Sequence, residues 1–195
     1  SGKGHAGLEK KNGGKLTIAD EDKNGKLTAE GGKYGAGIGT GRVRTWRSPW
    51  MNLDDGGDMS GTITIGGNAK VTAKSEGSAA GMGTGGEGEM SGTINIDGNA
   101  DVTATSNSGA GIGSGNDSDV RKTGTINIGG NAKVFAFSKY DGAGIGGGDQ
   151  GAGSGITITG GKIKATGGQY GAGIGGGKGD GSDITISGGE VNATG

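Results

Sequence analysis

The chain has 195 residues, 54 of them glycine, with one proline and no Gly-X-Y register; collagen is excluded, and a disordered low-complexity segment would follow unless the glycines recur with a period. Apolar residues reach only 28% and aromatics 4%, which rules out a core filled with Leu and Phe and leaves a thin one of Ala, Val and Ile. A net charge of −1, zero cysteines and a single histidine argue against nucleic-acid partners, thiol or disulfide chemistry and most histidine-based metal or triad chemistry. No apolar run approaches the ~20 residues of a membrane span, so no membrane insertion is expected.

In chain order, a degenerate Ala6-Gly7-Leu8 is followed by Leu16-Thr17-Ile18 and then Lys26-Leu27-Thr28-Ala29, each alternating with the period of two that marks strands with one buried face. The corner between the latter two is longer than its later equivalents. Its Asp20, Asp22, Asn24 and Gly25 make a D-x-D-x-N-G pattern, in which alternate side-chain oxygens can converge on Ca²⁺ while glycine permits the sharp turn. Gly31 stands where a bidentate Glu would be, so an ordinary solvated acidic turn competes with the calcium reading.

Gly35-Ala36-Gly37-Ile38-Gly39 comes next, followed by an insertion at 42–58 that holds both tryptophans, the only proline and three of the four arginines. Trp46 and Trp50 can stack on sugar rings or fill a partner's pocket, with Arg44 and Arg47 as polar helpers; alternatively the two rings fold back as a cover on the repeats. Arg42, Arg44 and Arg47 with Asp54, Asp55 and Asp58 could also be imagined as a catalytic set of the kind that β-helical polysaccharide enzymes carry, although all lie in one loop.

Beyond the insertion the pattern returns five more times. Ile63-Thr64-Ile65, Ile94-Asn95-Ile96, Ile126-Asn127-Ile128, Ile156-Thr157-Ile158 and Ile184-Thr185-Ile186 each lead through a short corner to a run such as Val71-Thr72-Ala73 or Val102-Thr103-Ala104. A third run, Ala80-Gly81-Met82-Gly83 or Ala110-Gly111-Ile112-Gly113, closes all but the last unit. Three short strands in about thirty residues predict one coil of a parallel β-solenoid, and about six coils make an all-β, single-domain rod over 1–195. Ile63 and Ile65, Val71 and Ala73, and Ala80 and Met82 are expected inside. Asn68, Asn99 and Asn131 are expected to stack as a hydrogen-bonded corner ladder. Glycine at every second place of the third run predicts a bare outward strip of exposed backbone at Gly37, Gly81, Gly111, Gly144 and Gly173.

The repeats, clearest over 142–195 in Gly142-Ala143-Gly144-Ile145-Gly146-Gly147-Gly148 and Ser154-Gly155-Ile156-Thr157-Ile158-Thr159-Gly160-Gly161, resemble the glycine-rich tandem repeats of form GAGIGGG…GTITISGGTVTATGG found in large secreted and cell-surface proteins, mainly of Gram-positive bacteria. The resemblance implies a parallel β-helix in an extracellular, often multidomain protein of adhesin-like or carbohydrate-binding-like character, of which this chain is expected to be a piece. It implies no catalytic residues. The reading is therefore a non-catalytic binding or stalk module that meets a glycan or a host surface protein through Arg44, Trp46, Arg47 and Trp50. An ice-binding solenoid, suggested by Thr62-Ile63-Thr64, and a polysaccharide-active enzyme are the alternatives. The threonine rank decays to Thr93-Ile94-Asn95 and Thr125-Ile126-Asn127, which weakens a lattice match.

Overall fold

The computed structural model describes residues 4–10, 13–46, 52–55, 57–116 and 124–195, with the backbone alone described for 43–46 and 52–55. Strand β1 (Leu8–Glu9) precedes a first turn of β2 (Lys15–Asp20), β3 (Lys26–Gly31) and β4 (Ile38–Gly39). A hairpin of β5 (Val43–Trp46) and β6 (Asn52–Asp55) then leaves the solenoid. Four turns follow: β7 (Thr62–Gly67), β8 (Lys70–Ser75) and β9 (Met82–Gly83); β10 (Thr93–Ile96), β11 (Asp101–Ser106) and β12 (Ile112–Gly113); β13 (Thr125–Ile128), β14 (Lys133–Ser138) and β15 (Ile145–Gly146); and β16 (Ile156–Ile158), β17 (Lys162–Thr166) and β18 (Ile174–Gly175). β19 (Ile184–Ile186) and β20 (Glu190–Thr194) begin one more.

These strands stack into three six-stranded parallel sheets: sheet A from the third run, sheet B from the first and sheet C from the second. The molecule is an all-β parallel β-solenoid, as the repeat predicts. Registration is like on like. Leu16, Ile63, Ile94, Ile126, Ile156 and Ile184 form one rank, Ile18, Ile65, Ile96, Ile128, Ile158 and Ile186 the next, and Leu27, Val71, Val102, Val134, Ile163 and Val191 a third. A one-residue slip would turn a whole rank outward, so alternation alone sets this pairing. The isoleucines at 63, 65, 94, 96, 126, 128, 156 and 158 are all buried, and each contributes roughly 2 kcal/mol by leaving water. Ile186 belongs to its rank but is 51% exposed, because no strand lies above β19.

One expectation is reversed. Gly37, Gly81, Gly111, Gly144 and Gly173 are buried and form no bare outer strip. A Cβ on Gly37 would lie 2.3 Å from the backbone nitrogen of Lys74, and one on Gly111 would lie 2.6 Å from that of Phe137. Sheet A therefore packs backbone against backbone on sheet C, a separation that only a missing side chain permits. The alternate glycines Gly39, Gly83, Gly113, Gly146 and Gly175 have φ of 130–139°, each placed against its neighbouring turn. Glycine is needed at both places in the run for different reasons: close approach at one, backbone conformation at the other.

Buried hydroxyls complete the core between the ladders. Gly85, Gly115 and Gly148 donate their N–H groups to Thr40, Thr84 and Ser114, one turn apart. Ser106 and Ser138 donate to the carbonyls of Ala79 and Gly109. Each gives a partner to a backbone group held away from water, the Gly85 N–H being shared between Thr40 and the carbonyl of Gly57.

Candidate binding surface

On sheet C the outward positions of successive strands carry Thr72 and Thr103 and then, at the same rank, Phe135 and Lys164. Phe137 occupies the next outward position of β14, and its ring stacks with that of Phe135 at 6.4 Å between centroids and 14° between planes. Lys164 sits over Phe135 at 5.8 Å. The chain leaving β14 presents Tyr140, 47% exposed, with Lys139 over its ring at 4.7 Å. One turn on, Tyr170 is 59% exposed, and the backbone N–H of neighbouring Gln169 donates to the carbonyl of Tyr140. The two tyrosines thus occupy one corner of the rod on consecutive turns.

Lys178 lies 5.1 Å from the Tyr170 ring centroid and bridges two carboxylates, Asp149 at 2.6 Å and Asp141 at 3.6 Å. The Asp149 hydrogen bond, helped by Asp141, holds the Lys178 ammonium above its ordinary range. Lys178 therefore stays charged through neutral pH and loses its proton, and with it the cross-link, when the pH rises beyond the usual lysine range. Rings exposed beside fixed carboxylate and ammonium groups are chemically suited to a ligand with apolar C–H faces and hydroxyl edges.

The residues expected to bind from sequence are placed as follows. Arg47 and Trp50 lie outside the described residues. Arg44 and Trp46 are described by backbone alone, opposite Asp54 and Asn52 in the antiparallel hairpin. Arg42, grouped with them in sequence, instead roots the hairpin. Its guanidinium forms a two-pronged ion pair with Glu87, with Nη1 2.7 Å from Oε1 and Nη2 2.5 Å from Oε2, and it lies 5.3 Å from the Tyr34 ring centroid. Asp58, imagined in a catalytic set, accepts the N–H of Glu89.

At the acidic corner Asp20 accepts hydrogen bonds from the N–H groups of Asp22 and Gly25 at 3.1 and 2.9 Å, while Asp22 and Asn24 are exposed. Lys23 turns the chain with a φ of 64°. Among the described residues no group of three or more His, Asp or Glu side chains is arranged to hold a metal ion. The asparagine ladder is formed: Asn99 donates to Asn68 at 3.1 Å, and Asn131 to Asn99 at 3.3 Å. On the outer face of sheet B the threonine rank is broken by Asn95 and Asn127, which bond to each other at 2.9 Å.

The aromatic corner was not singled out from sequence, yet a signal was present. Phe135 and Phe137 stand where other copies carry Thr, Lys, Asn or Glu, and Tyr140 and Tyr170 are, with Tyr34 of the first turn, the aromatic residues of corners otherwise made of Gly, Ala and polar residues. Their separation along the chain hid the cluster that stacking assembles.

The family model described as Beta helix repeat matches residues 23–42, 94–116, 156–178 and 184–195. No curated protein and no solved structure matches the chain. The matched segments cover strands of all three sheets, in agreement with the stacking, and mark this chain as carrying a β-helix repeat region.

Proposed function

We propose that this chain is a non-catalytic binding module, a stiff rod that holds a glycan against the corner formed by Tyr140, Tyr170 and Lys178, in an extracellular or bacterial cell-surface protein. The observation that carries this reading is the pair of exposed tyrosine rings on consecutive turns beside a lysine pinned by Asp141 and Asp149. Stacked strands hold the rings in place before a ligand arrives, so little ordering cost falls on binding. The extracellular setting follows from the resemblance of the repeats.

A glycan array probed with the intact chain and with Tyr140→Ala/Tyr170→Ala tests it. Aromatic anchors are worth ~2 kcal/mol each at hot spots, so the double variant should lose at least about tenfold in affinity with an unchanged melting temperature. Equal binding by the variant would sink the reading. Shortening of the bound glycan would point instead to an enzyme.

The β5–β6 hairpin is a second contact surface in this proposal, with Arg44, Trp46, Arg47 and Trp50 as its contact residues and a glycan or host surface protein as partner. Its support is the anchored root at Arg42, which fixes where the hairpin emerges. Calcium at Asp20, Asp22 and Asn24 belongs to the same proposal: millimolar calcium should raise the melting temperature and a chelator should reverse the gain, since an ion that binds the folded chain and not the unfolded one stabilises the fold. A flat response would leave Asp20 as an acceptor of backbone N–H groups alone.

A further inference from the structure

Sheet C carries a stretch of surface that the repeat does not require. The outward side chains of β14 and β17 pair in register as Lys133 with Lys162, Phe135 with Lys164 and Phe137 with Thr166, while Val134, Ala136, Ser138, Ile163 and Ala165 between them are buried. At the Phe135 rank the two preceding turns carry Thr72 and Thr103, and Phe137 stands between Thr105 and Thr166, so threonine serves the fold at both places. Phe135 is nonetheless 37% exposed, with its ring stacked on that of Phe137. Two adjoining rings kept at the surface, where the neighbouring strands manage without them, mark a contact surface.

Charge selects what lies on it. These six outward positions hold three lysines and no carboxylate, in a chain whose net charge is −1. Lys162 is engaged by Glu190 at 2.9 Å, and Asp101, the carboxylate in register with Lys133, stands 3.9 Å from Lys70 on its other side. Among the described residues no carboxylate lies within ion-pair distance of Lys133 or Lys164. Lys164 sits over the Phe135 ring, and Lys139, just past the strand, over that of Tyr140. A second copy presenting the same face would set lysine against lysine, whereas an anionic partner is matched by it.

We infer that this face binds an acidic polysaccharide, a chain of uronate sugars lying along β14 with carboxylates on Lys133 and Lys164 and apolar ring faces on Phe135 and Phe137. The inference rests on the glycan reading of the Tyr140–Tyr170 corner and names the class of glycan. Continuity joins the two surfaces: Tyr140 follows Phe137 by three residues, and the Gln169 N–H on the Tyr140 carbonyl keeps Tyr170 on the adjoining turn. Outward side chains recur about 7 Å apart along a strand and ~4.8 Å apart across strands, so lysines and rings line a track that a polymer can follow over several sugars. A polyuronate repeats a C–H face and a carboxylate at each unit, and this track offers partners to both. At the corner Asp141 and Asp149 are balanced by Lys178 and Lys139, so the surplus positive charge lies on sheet C, where ammonium–carboxylate hydrogen bonds would add to stacking.

The test is calorimetric titration of the 195-residue chain with polyglucuronate, alginate and hyaluronate. Each is set beside its carboxyl-reduced form, which keeps the rings and loses the charge, and beside inorganic polyphosphate, which has charge without rings. At least one polyuronate should bind at least about tenfold more tightly than its reduced form and than polyphosphate, and added salt should narrow the difference. Lys133→Gln/Lys164→Gln, at exposed positions, should bring that polymer to the affinity of its reduced form. Phe135→Thr/Phe137→Thr gives each position the residue found one turn earlier, so it should fold with an unchanged melting temperature and weaken binding at least about fivefold. No binding of any polyuronate, equal binding of the reduced form or of polyphosphate, or a lysine variant that binds like the parent would overturn the inference. A neutral glycan lost with Tyr140→Ala/Tyr170→Ala and indifferent to both lysines overturns it too, while leaving the corner reading in place. A polyuronate lost with the lysines and kept without the tyrosines upholds the sheet C site and removes the corner.

Discussion

Thr84 shows how little side chain the rod needs and how much depends on it. It is fully buried, and its hydroxyl accepts the N–H of Gly115 from the next turn at 2.6 Å. Thr84→Val keeps the volume and strands that buried donor, so urea denaturation should show a loss of about 2 kcal/mol. At Gly111 the constraint is steric: a methyl group would meet the Phe137 backbone, and Gly111→Ala should cost about 3 kcal/mol by the same measurement, since no side-chain rotation relieves the clash. The Ile-x-Ile runs made the inward ranks legible in sequence because alternation leaves one choice of face. The role of Gly111 was not legible: its missing Cβ is visible in the sequence, but whether water or another strand fills that space is decided by the approach of sheet C.

Among the elements, the β5–β6 hairpin departs most from the repeat. Its root is held by Arg42 on Glu87 and Tyr34, while the solenoid closes beneath it through Thr40, whose hydroxyl donates to Gly57 and accepts from Gly85. Trp46→Ala/Trp50→Ala should therefore lower affinity on the same glycan array or for a captured host protein and leave melting unchanged. Melting several degrees lower with affinity intact would identify the hairpin as a cover for the coils. The outsized gap made this element legible, but the function of Arg42 was not, because its partner Glu87 lies 45 residues away and meets it only after a turn is laid down. Tyr140 and Tyr170 were hidden for the same reason. At their corner Lys178 stays charged through neutral pH, so raising the pH from neutral should leave affinity level until strongly alkaline conditions remove the lysine proton, as titration calorimetry would read.

Across the whole molecule, every solenoid ladder joins a turn to its neighbours, and β1 and β20 lie at opposite ends of the stack. Beyond the hairpin-bearing turn, equivalent isoleucines recur every 28–32 residues. Tension applied between the two ends is thus aligned with the interstrand hydrogen bonds and meets them a few at a time, as in opening a zipper, instead of shearing a whole sheet at once. A single rod stretched in an optical trap should yield in a sawtooth at low force, each tooth releasing one turn and lengthening the chain by about 100 Å. A protein tethered through such a rod would have an extensible leash that pays out in fixed lengths and rewinds when the load falls.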